Sequence, residues 1–420
     1  MPFNLDKNLR ERCHVNTNAE GDSFVGVKAD TEDAVIYFPI GYQLPDNDDD
    51  LRVDINNLFG ILAAFMKEDK VIESSKFEAP QTVDFPMHAY LSIIRDYLRT
   101  GRYYKETEKK YGTDVKGKTN WARTAKNQIA LIQRNGSLVY SQRTVERNRP
   151  KDNEEITQIH MYCVHQAFEK LGWYYVSFVP QAPESHPGVK QSIAILGKKL
   201  TETHNDVEQQ LFGAMLRMLE YEDEKGDDKQ YFFGTDYFER VWESMVDRAF
   251  GISDKEQYFP KTRWLLDYGH NREKTPLQPD SIMIYGDKYY VLDSKLYKYG
   301  WTANADDLPN GPDINKQITY GEYIERTRAL PNERLFNAFI MPYNKEKNFF
   351  MLNSNIANIG EAVGDWRGNT KNYERIQGIV VDTRYLMYNY IGTPEEQKRE
   401  LAECIEKVLT RNPVPAPATT

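Results

Sequence analysis

Pro279-Asp280-Ser281-Ile282-Met283-Ile284-Tyr285-Gly286-Asp287-Lys288-Tyr289-Tyr290-Val291-Leu292-Asp293-Ser294-Lys295 reads as two β-rich runs around Gly286-Asp287, a two-residue hairpin turn. With that turn, Tyr285 faces Lys288, Ile284 faces Tyr289, Ile282 faces Val291 and Asp280 faces Asp293. Lys295 stands two positions beyond Asp293 and projects from the same face of the sheet. Directly opposed β-carbons lie ~4.5–5.5 Å apart, so two carboxylates and one ammonium meet at one end of a small sheet. Carboxylates that close repel each other unless a cation lies between them. Mg2+, which accepts carboxylate oxygens and keeps several waters, suits that place. A metal to polarise a phosphate and an ammonium to meet developing negative charge are what phosphodiester hydrolysis requires. A bare Asp-x-Lys is too common to carry meaning; the Pro-Asp on the facing run supplies the specificity.

A further carboxylate is expected from the helix predicted just upstream, from about Thr235 to Phe250 and closed by Gly251. Its apolar stripe is Phe238, Val241, Trp242, Met245 and Ala249. Glu239 and Glu243 lie one turn apart on one face, with Glu239 nearer the stripe and Glu243 at its margin. Downstream, Lys316-Gln317-Ile318-Thr319-Tyr320 opens another helix. Gln317 and Tyr320 are candidates to face the site and hydrogen-bond DNA or the lysine; a capping turn with packed aromatics is the plainer reading.

Pro180-Gln181-Ala182-Pro183-Glu184-Ser185-His186-Pro187-Gly188 interrupts the chain and predicts a linker over residues 181–194. It would separate a helix-rich mixed domain at 1–180 from a second domain at 195–412, followed by a disordered tail at 413–420. Helical spacing is found over Val53–Phe65, His88–Leu98, Asn120–Ile132, Ile156–Leu171 and Asp206–Tyr221. Arg102, Lys105 and Arg123, interleaved with Tyr103 and Tyr104, form a local positive surface suited to a DNA backbone or an acidic partner.

Two motifs mislead. Gly112-Thr113-Asp114-Val115-Lys116-Gly117-Lys118-Thr119 spells a phosphate-binding loop, but the upstream Lys105-Glu106-Thr107-Glu108-Lys109-Lys110-Tyr111 is too charged for the buried strand such a loop hangs from. Asp46-Asn47-Asp48-Asp49-Asp50 resembles the start of a calcium loop, yet Leu51 stands where Gly is needed and Asn57 where the bidentate Glu is needed.

Over its 420 residues the chain carries 54 Lys+Arg against 63 Asp+Glu, a net charge of −9, which opposes coating DNA by bulk charge and leaves room for a local basic surface. Its length predicts two or more domains. There is no long apolar run or signal layout, and the three cysteines are widely spaced; a soluble cytoplasmic protein is expected.

Pro279-Asp280 with Asp293-Ser294-Lys295 is similar to the core of the PD-(D/E)xK nuclease superfamily. More narrowly, the chain resembles the LlaJI-type restriction endonucleases and the related McrC-like nuclease subunits. Gly117-Lys118-Thr119-Asn120-Trp121-Ala122-Arg123-Thr124 looks like the family's "NW..T" motif, and Trp242-Glu243-Ser244-Met245-Val246 resembles its aromatic-Glu helix. The resemblance implies a mixed α/β protein. Its C-terminal half would be a Mg2+-dependent, DNA-cleaving restriction-endonuclease-like domain, a mixed sheet flanked by helices. The N-terminal half would bind double-stranded DNA or a partner. The resemblance also implies work with a separate McrB-like AAA+ GTPase, and it ranks Glu243 above Glu239, against the helical wheel. The metal ligands implied are Asp280, Asp293 and Glu243. The superfamily's Gln-Tyr spacing after the lysine is not cleanly reproduced by Gln317 and Tyr320. The competing expectation is a non-catalytic DNA-binding or assembly subunit, although Asp280, Asp293 and Lys295 are all intact.

Overall fold

A computed structural model of the chain describes residues 8–29, 34–72, 85–114, 116–150, 155–176, 178–225, 231–269, 272–274, 276–392 and 395–409. These fall into two compact units, one within Asp84–Gln230 and the other within Asp6–Val83 and Tyr231–Thr420. Among the described residues, no helix is long and apolar enough to cross a membrane.

The second unit is built from both ends of the chain. Strands β1 (Cys13–Val15), β2 (Val25–Ala29) and β3 (Ala34–Phe38) precede a long helix, α1 (Asp48–Ile72). The chain re-enters the unit at β4 (Tyr231–Thr235), which completes a four-stranded sheet in the order β1-β3-β2-β4. Where β2 and β4 pair, Gly26 lies opposite Gly234. A Cβ on Gly26 would sit 2.1 Å from the Phe233 carbonyl oxygen and one on Gly234 2.2 Å from that of Val25, so neither position tolerates a side chain.

Helix α2 (Phe238–Phe250) follows, then β5 (Ser281–Tyr285), β6 (Lys288–Ser294), α3 (Gly311–Arg328), β7 (Leu335–Tyr343), β8 (Ile356–Ala362), β9 (Ile376–Asp382), α4 (Thr383–Asn389) and α5 (Glu395–Leu409). The five strands form one mixed sheet, β5-β6-β7-β9-β8, with β6, β7 and β9 parallel and the edge strands antiparallel to their neighbours. Every residue of the central β7 is buried, as a parallel strand covered on both faces requires. Val291 shares a core with Ile318, Tyr320 and Ile324 of α3. Tyr290, pointing the other way by strand alternation, donates its hydroxyl to Glu406 of α5 at 2.6 Å. Helices therefore cover both faces.

The N-terminal segment is held here by a buried ion pair. Asp54 of α1 is fully buried and accepts from Arg384 of α4 at 2.8 and 3.1 Å. This departs from the linear division read from the Pro-rich stretch. Pro180 is itself buried, its carbonyl oxygen lies 2.8 Å from His165 Nδ1, and His186 stacks on Tyr162 with ring centroids 4.0 Å apart. The stretch is packed onto the Glu155–Leu171 helix inside the first unit and leads into a further helix, Val189–Glu202.

In the first unit, helices Met87–Thr100, Glu155–Leu171, Val189–Glu202 and Asp206–Lys225 accompany an exposed antiparallel sheet of Thr107–Asp114, Arg143–Pro150 and Lys118–Thr119. The phosphate-loop letters run across two strands of that sheet instead of a buried strand, a turn and a helix. The helix expected over Asn120–Ile132 is shorter, Trp121–Asn127, and Ala130–Ile132 is a strand paired with Leu138–Tyr140. Asn120 caps this helix by accepting from Arg123 N–H at 3.0 Å. The buried Thr124 hydroxyl accepts from Thr144 N–H, also at 3.0 Å, which accounts for the Asn and Thr of the "NW..T" pattern. The Asp46–Asp50 run leads into α1: Asn47 accepts from Asp50 N–H at 2.8 Å, so the acidic residues occupy a helix's first turn. The 413–420 tail lies outside the described residues.

Candidate active site

The Gly286-Asp287 turn forms as read, with Gly286 at φ +61° and Tyr285, Ile284 and Ile282 paired with Lys288, Tyr289 and Val291. The ladder ends at Ser281 and Leu292. One step beyond, the Asp280 carboxylate accepts a 2.8 Å hydrogen bond from Ser294 N–H, pinning it beside Asp293 at the end of β6. Lys295 Nζ lies 2.8 Å from Asp293 Oδ2 and 3.8 Å from Asp313 Oδ1.

Burial sets the electrostatics. It raises the Asp280 carboxyl to about 6, with the Asp293 charge adding to the effect and the Ser294 bond and Lys295 opposing it. Asp293, 2% exposed, is also raised by burial, against the pull of Lys295. Burial opposes the charge of Lys295, but Asp293, then Asp280 and Asp313, outweigh it and hold the ammonium above its ordinary range. This is the signature of carboxylates gathered with too little positive charge between them.

Glu243 belongs to the same cluster. Burial and the nearby Asp280 raise it to about 7, and it lines a cleft of about 880 Å3 together with Asp280, Arg240, Lys255 and Lys261. Trp242 is fully buried and its indole N–H donates to Ile340 O at 3.3 Å, which orients α2 and turns the next residue toward the cleft. Glu239 does not line it. Among the described residues, no three His, Cys, Asp or Glu side chains converge tightly enough to hold a metal ion. The donor set that fits Mg2+ is therefore the Asp280–Asp293 pair, since this ion commonly takes one or two carboxylates and fills the rest of its shell with water.

Gln317 and Tyr320 do not face DNA. Both are fully buried. Gln317 donates to Val291 O at 2.7 Å and Tyr320 donates to Gln278 O at 2.9 Å, so they brace β6 and the approach to Pro279 from inside the core. Gln317→Ala is expected to lower stability by about 1–3 kcal/mol by leaving buried carbonyls unpaired; the urea midpoint measures it.

Arg102, Lys105 and Arg123 are exposed residues of the first unit, and the Arg123 guanidinium lies 3.8 Å from the Tyr111 ring centre. Three groups of the site escaped the sequence reading. Asp313 caps α3 and flanks Lys295. The Lys316 charge acts on both Asp280 and Asp293. Lys255 donates to Asp247 at 2.6 Å and to the Asp280 carbonyl at 2.5 Å. Only Lys316 sat in a stretch that pattern reading singles out; the other two are brought in by tertiary packing.

A family model described as LlaJI restriction endonuclease matches residues 24–359. Among curated proteins, the chain is 23% identical over 367 residues to the Type II restriction enzyme BsuMI component YdjA of Bacillus subtilis (strain 168), covering 82% of this chain and 78% of that protein. Among solved structures, it matches a half-complex of Thermococcus gammatolerans McrB AAA+ hexamers with bound McrC at a TM-score of 0.37 and 12% identity, over 91% of this chain and 82% of that one.

Proposed function

The chain belongs to the LlaJI restriction endonuclease family, and from that premise we propose that it is the Mg2+-dependent DNA-cleaving subunit of a restriction system, with Asp280, Asp293, Lys295 and Glu243 as its catalytic residues. The observation that carries this reading is the Asp280–Asp293 pair at the end of the hairpin with the Lys295 ammonium 2.8 Å from Asp293.

Asp280 and Asp293 would hold the ion, which when bound polarises the phosphodiester and neutralises its charge. Lys295, kept cationic by Asp293 and Asp313, directs positive charge to the phosphate oxygens as negative charge develops on them. Glu243, with its pKa near 7, is suited to take a proton at its carboxylate from an attacking water at neutral pH. Water adds to phosphorus, the P–O bond to the leaving strand breaks, and that oxygen is protonated from solvent.

A separate AAA+ GTPase as partner belongs to the same proposal. It is supported by the resemblance of Gly117–Thr124 and by the exposed basic side chains of Arg102, Lys105 and Arg123. Nicking of supercoiled plasmid tests the chemistry: the purified chain, alone or with that GTPase, is expected to cleave in Mg2+ and to stop in EDTA. Failure to cleave in any divalent metal, with or without the GTPase, overturns the reading in favour of an assembly subunit.

Within the site, Glu243→Gln is expected to slow cleavage roughly 10²-fold, the scale of a lost proton-transfer group. Glu239→Gln is expected to leave the rate within about twofold, since surface carboxylates away from such features contribute little. The reverse order in matched assays would transfer the role to Glu239.

A further inference from the structure

Between the cleft residues Lys261 and Pro276, the chain leaves the wall that carries Asp280 and Glu243 and returns to it. In between, Thr262–Trp264 and Arg272–Lys274 pair as an antiparallel ribbon, with Trp264 opposite Arg272. Leu277 N–H donates to Pro260 O at 3.0 Å and closes the base. The ribbon presents Trp264 at 60% exposure, Leu265 at 68%, Leu266 at 45% and Tyr268 at 92%. Single exposed apolar side chains are ordinary, but four within five positions on one projecting ribbon form a binding surface. Residues 261–274 carry four Lys or Arg against two acidic residues, a positive segment in a chain of net charge −9.

We propose that this ribbon is a DNA-binding element of the nuclease unit: it seats in a groove of the duplex whose strand enters the cleft, with Trp264 and Tyr268 packed on bases and Lys261 and Arg263 on flanking phosphates. The inference rests on the nuclease reading above. An apolar ribbon alone would suit a protein partner equally well. Duplex DNA is favoured because the feet of the ribbon are part of the wall that holds Asp280 and Glu243, so a strand lying on those carboxylates passes beside it. The cationic side chain at the first foot, Lys261, lines the cleft itself. A two-stranded ribbon is narrow enough for the ~12 Å major groove, and aromatic faces accept any base, so the contact anchors the duplex without requiring a particular sequence.

The test is fluorescence anisotropy of the full-length chain on a labelled duplex in EDTA, across a salt series. The double variant Trp264→Ala/Tyr268→Ala is expected to bind roughly tenfold or more weakly with an unchanged salt slope, the scale of lost base stacking. Lys261→Ala/Arg263→Ala is expected to lower the salt slope by about 2. The mutated side chains outside the strand pairing are exposed, so the urea midpoint should hold for both. Asp293→Asn in the same assay is expected to bind as the unmodified chain does. Equal DNA binding by the ribbon variants, with cleavage by the unmodified chain intact, overturns the ribbon proposal alone. Ribbon-dependent binding without any cleavage overturns the nuclease chemistry alone. Loss of self-association in sedimentation velocity with full DNA affinity overturns the ribbon proposal in favour of a protein interface.

Discussion

Asp293→Asn should reduce metal-supported DNA cleavage by roughly 10³-fold or more, because several kcal/mol of charge stabilisation at the phosphate depends on the ion that this carboxylate would hold. Asp280→Asn should do the same. The two changes should also leave the metal-free fold at least as stable as before. Burial holds Asp280 at about 6 and Glu243 at about 7, both above the values of an unfolded chain. Between about pH 4 and 7 the folded protein therefore keeps protons that the unfolded chain has released, and stability declines as pH rises through that window. An amide at position 280 removes one repelling charge and can still accept from Ser294 N–H, so at pH 7 the variant should gain on the order of 1–3 kcal/mol. Urea denaturation at pH 5 and pH 7 should show wild type losing stability between them and Asp280→Asn losing less. Robust cleavage by either amide variant in Mg2+ would remove these carboxylates from the active site.

The second large effect is expected at Lys295. Replacing it with Ala should slow the chemical step by roughly 10²–10³-fold, the scale of deleting one preorganised stabiliser of a developing oxyanion. Metal affinity should not fall. Lys295 Nζ sits 2.8 Å from Asp293 Oδ2 and so competes with a cation for that oxygen; its removal leaves Asp280 and Asp293 with less positive charge between them. Calorimetric titration of Mg2+ into Lys295→Ala should give binding equal to or tighter than that of the unmodified chain. Loss of metal binding would mean that Lys295 organises the carboxylates instead of acting on the phosphate. Lys255 offers a useful contrast: it holds the Asp280 backbone from the other side, so its replacement should weaken metal binding and cleavage together.

What the sequence determined by itself is the part governed by near neighbours. A two-residue turn at Gly286-Asp287 leaves one register open to the flanking runs, and that register places Asp280, Asp293 and Lys295 together before any tertiary contact is considered. Trp242-Glu243 is similarly local: an aromatic on the buried stripe of α2 settles where its neighbour points, although a helical wheel alone favoured Glu239. The tertiary structure decided the rest. No local pattern announces that Val25–Ala29 pairs with Tyr231–Thr235, some two hundred residues away, or that Asp54 is buried against Arg384. The nuclease unit therefore draws on both ends of the chain, and the Pro-rich stretch, which resembles a linker in composition, is packed onto a helix. Gln317 and Tyr320 show the same limit on a smaller scale. A helix opening with Gln and Tyr beside an active site has no sequence mark for which face meets solvent, because burial is a property of what packs against it; here the sheet does, and both side chains are spent on backbone carbonyls.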